Sequence, residues 1–579
     1  MITTFRGLAA RFTPVITMLS VLACTSPAFG QATTNQEAAG TSEGVPAPAS
    51  ERLDPILDVW WQDAVFYEIF VRSFGDSSQG PLANDGVGDL RGLIERLDYL
   101  NDGDPDTTRD LGVTGIWLMP IMQSPSYHGY DTVDYYRIDD EYGTNEDFKE
   151  LVRECHARGI KVIIDLVLNH CSSQHPWFVD AQRPGSDKRD WFIWSPTKPT
   201  YKGPWGQTVW HDAPNGSGEA FYGQFWHGMP DLNFRHPPVT EELNKIVRFW
   251  LEEMGADGFR LDAIRLLVEN GKAQENTPET HAWLRDFFDL YKSINPDAFT
   301  VGEVWSGSEI VTRYVGDQMD VAFEFSLSYA ITNAVKEKRA APVLERMQTV
   351  TELYPLGMYA TFLRNHDEPR TAHELGGDLR AAGLAATIQF ALPGVPFVYY
   401  GEEIGMSATK HAEGGDANVR TPMQWTAPDS GNDRTADPGF SRADAWRGLL
   451  PDRPIANVQT QHRQPDSLLN LYRRLARLRH AHPALRIGTY TPIQTSRDDV
   501  LAFRRTFAGN NTHPAEDLLC VFNLSDQPIT NYELNVPDDL RLARQRELLH
   551  RARPAKADKP IKKLAPQAGY VVALGADEH

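Results

Sequence analysis

Four polar clusters in this chain each close an apolar run. Asp165 and Asn169-His170 end IKVIIDLVLNH (160–170), Arg260 and Asp262 end GFRLD (258–262), Glu303 lies in FTVGEVW (299–305), and His366-Asp367 end MYATFLRNHD (358–367). An aspartate and a glutamate brought close together on either side of a sugar ring are what retaining glycoside cleavage requires. One attacks the anomeric carbon while the other, kept protonated by its surroundings, gives its proton to the leaving oxygen, at a separation of about 5–5.5 Å. On this reading Asp262 is the nucleophile, Glu303 the acid/base, and Asp367 a third carboxylate that supports positive charge developing on the ring. Arg260 shares a strand face with Asp262 and would hold it ionised and oriented. His170 and His366 would donate hydrogen bonds to sugar hydroxyls, and Asp165 would support Arg260.

Residues spread over two hundred positions can meet only if the elements carrying them converge. Eight strand-like runs alternate with amphipathic ones: 64–71, 113–120, 160–170, 258–262, 299–305, 321–326, 358–367 and 395–403. Eight alternating strands and helices predict an α/β fold, a (β/α)8 barrel, in which all carboxyl ends share one rim. An isolated aspartate at a strand end is ordinarily a cap or an ion-pair partner. Four clusters at corresponding ends favour a site. The barrel is expected over 55–170 and 240–487. Residues 171–239, rich in Trp, Pro, Gly and His, are too many for an ordinary connection and predict an inserted domain after strand three. The runs DVLAFRRTF, DLLCVFNLS and AGYVVAL predict a separate antiparallel β domain over 488–579.

The 579 residues carry a formal net charge of -21, with 41% hydrophobic residues. That balance excludes a duplex-binding basic face, so no nucleic-acid partner is expected, and it suits a neutral substrate. Arg6 and Arg11, the apolar run Val15 to Ala23 and Ala28-Phe29-Gly30 read as an export signal over 1–30, too short to span a bilayer. An exported protein, periplasmic or extracellular, is therefore expected. VLAC (21–24) leaves two readings, simple cleavage or lipidation of Cys24. Residues 31–54 read as a flexible linker. Cys155, Cys171 and Cys520 have neither disulfide nor metal spacing and read as buried thiols.

The set DLVLNH (165–170), MPDLN (229–233), GFRLDAIR (258–265), GEVW (302–305) and RNHDEP (364–369), in that order, resembles the short motifs of the α-amylase family of glycoside hydrolases. The resemblance covers roughly 60–490 plus the C-terminal domain. It implies a (β/α)8 barrel with domain B after strand three, a β-sandwich domain C, and retaining chemistry on α-glucosidic bonds. It carries the roles above onto Asp262, Glu303, Asp367, Arg260, His170 and His366, and adds Tyr130 of HGYD as the tyrosine that stacks under the sugar.

Within that family MPDLN is similar to an intermediate group with many secreted or periplasmic α-amylases. Ala263 after the nucleophile goes with α-1,4 cleavage, and Tyr127 stands where exo-acting members place an aspartate. Arg370, a usual partner of that aspartate and so a substrate-side residue, and RTPMQW (420–425) point instead to glucosidase-like or trehalose synthase-like relatives. The expectation is hydrolysis of α-1,4 bonds in starch or maltodextrins. The alternatives are an α-glucosidase or trehalose synthase-like transglycosylase and, remotely, a non-catalytic sugar-binding or transport-associated relative. The loop with Asp76, Asn84, Asp85, Val87 and Asp89 resembles a calcium-binding loop of this branch, so a structural Ca2+ is expected and no organic cofactor. Asn169 could instead serve the amylase-type calcium, although Arg265 and Leu266 replace the Lys-His found there.

Overall fold

The computed structural model describes residues 47–49, 59–428, 439–536, 545–549 and 563–574. The expected export signal, Cys24 and most of the expected linker lie outside the described residues. Where the linker is described it docks on the barrel: Ala49 is buried and its N–H donates to Thr312 Oγ1.

Eight parallel strands form the barrel: β1 (Phe66–Ile69), β2 (Gly115–Leu118), β3 (Lys161–Leu166), β4 (Gly258–Leu261), β5 (Phe299–Gly302), β6 (Val321–Ala322), β7 (Ala360–Thr361) and β8 (Val395–Tyr399). Each pairs with the next in sequence, and β8 pairs back to β1. The join between β6 and β7 is a single parallel bridge, Phe323 with Ala360, which closes the ring. The strands are shorter than the apolar runs. The run 321–326 leaves the ladder early: the Glu324 N–H makes its last bond, to the Ala360 carbonyl, and a helix begins at Phe325. The run 358–367 becomes loop after Thr361, which frees RNHDEP to line the rim.

Alternation decides what enters the barrel. Phe66 and Glu68 share one face of β1, and Arg260 and Asp262 share one face at the end of β4. The aromatic members of this inner set pack together: the Phe66 ring lies 4.5 Å from Phe397 and 5.2 Å from Phe299, both stacked. Gly115 opposite Phe66 has no room for a side chain, since a Cβ there would stand 2.5 Å from the Phe66 ring. The floor is thus apolar and close-packed, and the charged residues lie one layer nearer the carboxyl rim.

The helices are α1 (Asn145–Ala157), α2 (Pro237–Arg248), α3 (Pro278–Ile294), α4 (Phe325–Glu337), α5 (Ala341–Leu353), α6 (Leu379–Ala391) and α7 (Leu468–Ala481), besides shorter turns. Thr144 and Asp147 form a reciprocal capping box at the start of α1, and prolines open α2 and α3. Between β3 and β4 the chain builds a three-stranded antiparallel sheet from 194–195, 210–212 and 220–222, with its own small cluster of Val209, Trp210, Ala220 and Tyr222.

The C-terminal domain is a β-sandwich whose main sheet holds β9 (Thr489–Pro492), β10 (Val500–Phe507), β11 (Glu516–Asn523), β12 (Gln545–Glu547) and β13 (Ala568–Leu574). The sheet order is β9-β10-β11-β13-β12. Alternation divides β10 cleanly: Leu501 and Phe503 join the main core, and Val500 and Ala502 pack with Ile529 and Leu564 in the domain's own. Two buried arginines meet at the end of α6, and one of them, Arg505, stitches this domain to the barrel. Arg479 of α7 donates to the carbonyls of Phe390, Leu392 and Leu485, and Arg505 of β10 donates to those of Ala391 and Gly488. Both sit at the C-terminal end of α6, where unpaired carbonyls and the helix dipole favour a cation. Burial, helped by the neighbouring Arg505 and Arg486, pushes Arg479 down to about 9, and burial pushes Arg505 to about 10.

Replacing Arg505 by Met keeps the apolar stem but leaves two buried carbonyls without a donor. We expect a loss of about 2–4 kcal/mol, read as a lower midpoint in chemical denaturation. An unchanged midpoint would remove this arginine from the interface.

Candidate active site

The four polar clusters meet at the carboxyl rim around Arg260. Its register sets this up: Asp165 of β3 and Val301 of β5 are its direct cross-strand partners. Arg260 Nη1 donates to Asp165 Oδ1 at 2.9 Å and to Asp262 Oδ1 at 2.7 Å, while Nη2 lies 2.9 Å from Glu303 Oε2. One guanidinium therefore holds three carboxyl groups, with Trp117 5.1 Å beneath it. Asp262 and Glu303 hang from its two ends, a juxtaposition of the kind a retaining pair needs.

Ala263 turns the chain just after Asp262. It is left-handed, φ 47 and ψ 31, a conformation that costs a non-glycine residue free energy. The turn points its N–H at Glu303 Oε2, 3.2 Å away.

Asp367 faces the cluster from the loop after β7. Its Oδ1 accepts from Arg420 Nη2 at 2.7 Å and its Oδ2 lies 3.2 Å from His366 Nε2. His366 in turn donates Nδ1–H to Glu68 Oε1 at 2.5 Å, and its Nε2 meets the Tyr130 hydroxyl at 2.7 Å. Tyr130 donates onward to Asp165 Oδ2, and its ring lies parallel to that of His366. The network is continuous: Asp165, Asp262 and Glu303 touch Arg260, and Tyr130, His366, Glu68, Asp367 and Arg420 follow in a chain from Asp165.

The electrostatics separate the carboxyl groups. Burial is the largest influence on each. It raises Glu303 and Asp262 above the ordinary carboxylate range, with Arg260 opposing it, and lifts Asp165 to about 7. At Asp367 burial is overcome by His366 and Arg420, and that group lies well below the usual range. Burial alone would lower His366, yet Asp367 and Glu68 on either side raise it to about 9, so it is an imidazolium at neutral pH. His170 is the opposite case, pushed down to about 4 by burial.

Two sequence expectations need correcting. The N–H groups of His170 and His366 are not free for sugar hydroxyls here. His170 is buried with Nε2 3.1 Å from the Tyr130 carbonyl, and His366 is fully buried between Glu68, Tyr130 and Asp367. They orient Tyr130 and Asp367. Arg370 also lies off the cluster: it donates to the Tyr400 carbonyl and its guanidinium faces the rings of Tyr399 and Tyr400. Position 127 offers it no carboxylate, since Tyr127 stacks instead on Trp446 at 5.5 Å.

Two residues of the network escaped the sequence reading. Glu68 could have been suspected as a lone charge inside the strand run AVFYEIFV. Arg420 is the first residue of RTPMQW, noted as a motif but given no role.

The loop expected to hold calcium closes on itself. Asp76 accepts from the N–H groups of Asn84 and Gly86 and from Ser441 Oγ, and Asp89 accepts from the N–H groups of Ser77 and Gly92. Asp85 is exposed and bonds the Val87 N–H. These oxygens thus take part in hydrogen bonds within the loop and to Ser441. Among the described residues no group of three His, Cys, Asp or Glu is placed to hold a metal ion. Cys155, Cys171 and Cys520 are free and buried.

This geometry agrees with comparisons to known proteins. Residues 68–488 match the family described as alpha amylase, catalytic domain. The chain is 40% identical over 453 residues to alpha-amylase 3 of Dictyoglomus thermophilum, covering 77% of this chain and 82% of that one. It is 36% identical over 528 residues to a trehalose synthase/amylase of Mycobacterium tuberculosis, covering 82% and 83%. The solved structure of an alpha-amylase from H. orenii superposes with a TM-score of 0.74 at 37% identity, over 88% of this chain and 99% of that one. With its eight-stranded barrel and its motifs gathered on one rim, this chain belongs to the alpha-amylase family of glycoside hydrolases.

Proposed function

We propose that this protein is a retaining hydrolase of α-1,4-glucosidic bonds in starch, maltodextrins or related α-glucans. The observation that carries the chemistry is the shared guanidinium: Arg260 holds Asp262 and Glu303 at its two ends. Asp262 attacks the anomeric carbon as Glu303 gives its proton to the glycosidic oxygen, and the bond to the leaving sugar breaks. Glu303, now ionised, takes a proton from water, which attacks the anomeric carbon and returns Asp262 to its free carboxylate. Five carboxyl groups (Glu68, Asp165, Asp262, Glu303 and Asp367) face three cations (Arg260, His366 and Arg420) in this network. The excess of carboxyl groups favours keeping Glu303 protonated, as an acid must be. Asp367, ionised between His366 and Arg420, stands ready to stabilise positive charge on the ring.

The choice of bond rests on Ala263 and Tyr127. Ala263 leaves space beside Glu303, and Tyr127 supplies no carboxylate to wall off a non-reducing end. A second reading, an α-glucosidase or trehalose synthase-like transglycosylase on maltose and short oligosaccharides, draws support from Arg420 of RTPMQW in the network and from the M. tuberculosis relative.

Product analysis on soluble starch separates the two: maltose and longer products are expected, and release of glucose alone would overturn the endo reading. Asp262→Asn should lower kcat by at least about 10³-fold while circular dichroism stays unchanged. Glu303 has a raised folded-state pKa, so it stays protonated to higher pH and the basic limb of kcat/KM should lie above the ordinary glutamate value of about 4.3. Arg420→Gln removes the cation that pairs with Asp367, so kcat should fall by about tenfold or more while circular dichroism stays unchanged. An unchanged kcat would dissociate Asp367 from the reaction.

A further inference from the structure

His366 meets an acceptor at each of its ring nitrogens. Nδ1 faces Glu68 Oε1 at 2.5 Å, and Nε2 faces the Tyr130 hydroxyl at 2.7 Å and Asp367 Oδ2 at 3.2 Å. The Tyr130 proton is already committed, because that hydroxyl donates to Asp165 Oδ2 at 3.0 Å. Towards Nε2 it therefore acts as an acceptor. A neutral imidazole has one N–H and would leave the other nitrogen's lone pair facing an acceptor. The arrangement is satisfied when both nitrogens carry protons.

Asp367 cannot enforce this alone, since it and Tyr130 claim the same nitrogen and one proton on Nε2 serves both. Glu68 claims the second. It lies on the inner face of β1, is 2% exposed, and among the described residues its one ion-pair partner is His366. A carboxylate so deep in the barrel needs a cation in contact with it. Burial works against the charged ring, and Asp367 and Glu68 together overcome it. The remaining neighbours divide by sign. Asp165, Asp262 and Glu303 favour a charged ring, and Trp117 meets it edge-on at 5.6 Å. Arg260, which acts on Glu68, and Arg420, which donates to the His366 carbonyl, oppose it.

We propose that Glu68 is a positioning residue for the reaction: it keeps His366 doubly protonated, and the charged ring in turn fixes the Asp367 carboxylate and the Tyr130 hydroxyl in the site. This rests on the retaining α-glucanase reading above, in which Asp367 supports charge on the sugar. The first barrel strand thus acts on the chemistry through one relay, without touching substrate.

Glu68→Gln tests it, because the amide keeps the shape and can hydrogen-bond Nδ1 but carries no charge. With 15N-labelled histidine, and the His366 signals identified by their loss in His366→Gln, the wild-type ring should hold two protons at about pH 8 and the Glu68→Gln ring one. On soluble starch, kcat of Glu68→Gln should be lower than wild type by about tenfold or more at about pH 8 and approach it at about pH 5, where the variant's ring regains its proton, with KM little changed. A wild-type ring with one proton, a variant ring that keeps two, an unchanged kcat, or a deficit of equal size at both pH values overturns the proposal. A doubly protonated wild-type ring in a protein inactive on starch overturns the α-glucanase reading instead.

Discussion

Everything at the rim depends on a single buried cation. Arg260 is 1% exposed and stands inside a parallel barrel, a place where an uncompensated guanidinium would be prohibitive. It is tolerated because Asp165, Asp262 and Glu303 surround it and Trp117 lies beneath it. The dependence runs both ways. The carboxyl groups need the arginine to avoid mutual repulsion, and the arginine needs them to stay buried. This reciprocity fixes where Asp262 and Glu303 stand, which is the preorganisation that the proposed reaction's charged transition state would reward.

The second tier works by the same logic. Glu68, His366, Asp367 and Arg420 form a line of alternating charge from the floor of β1 to the loop after β8. Its effect is to make the two halves of the rim electrostatically unlike. On one side Asp367 is held ionised by two cations; on the other Glu303 is lifted by burial against a cation it shares with two other carboxyl groups. Groups of identical chemistry are thereby pushed in opposite directions, as acid/base work on a glycosidic bond demands. Beneath both tiers the stacked rings of Phe66, Phe299 and Phe397 form a floor that keeps water from reaching the network from below.

Much of this was legible in the chain. Period-two alternation placed Arg260 and Asp262 on one face, and eight repeated runs predicted that their ends would share a rim. The family resemblance added Tyr130. Partnerships across long separations were not legible. His366 and Glu68 are 298 residues apart, and Arg420 meets Asp367 across 53, with no periodicity linking either pair. Residue type alone misled at His170 and His366, which look like donors to a ligand yet spend their N–H groups on the protein. Nor does residue type show that Asp76 and Asp89 of the acidic loop accept backbone N–H groups. In each case the deciding fact is which neighbour arrives first, and only the fold supplies it.

The capping of α6 by Arg479 and Arg505 bears on how this architecture can be taken apart. Helix α6 feeds directly into β8, whose Phe397 completes the aromatic floor and whose following loop leads toward Arg420. A strand of the C-terminal domain thus reaches across to finish the end of the helix that delivers the last barrel strand. The small domain is part of the barrel's closure, not cargo attached to it. Removing it would leave the Ala391 carbonyl without its Arg505 donor and only Arg479 at that helix end, so shortening or domain exchange at residue 487 would unsettle the eighth strand and, through it, the rim.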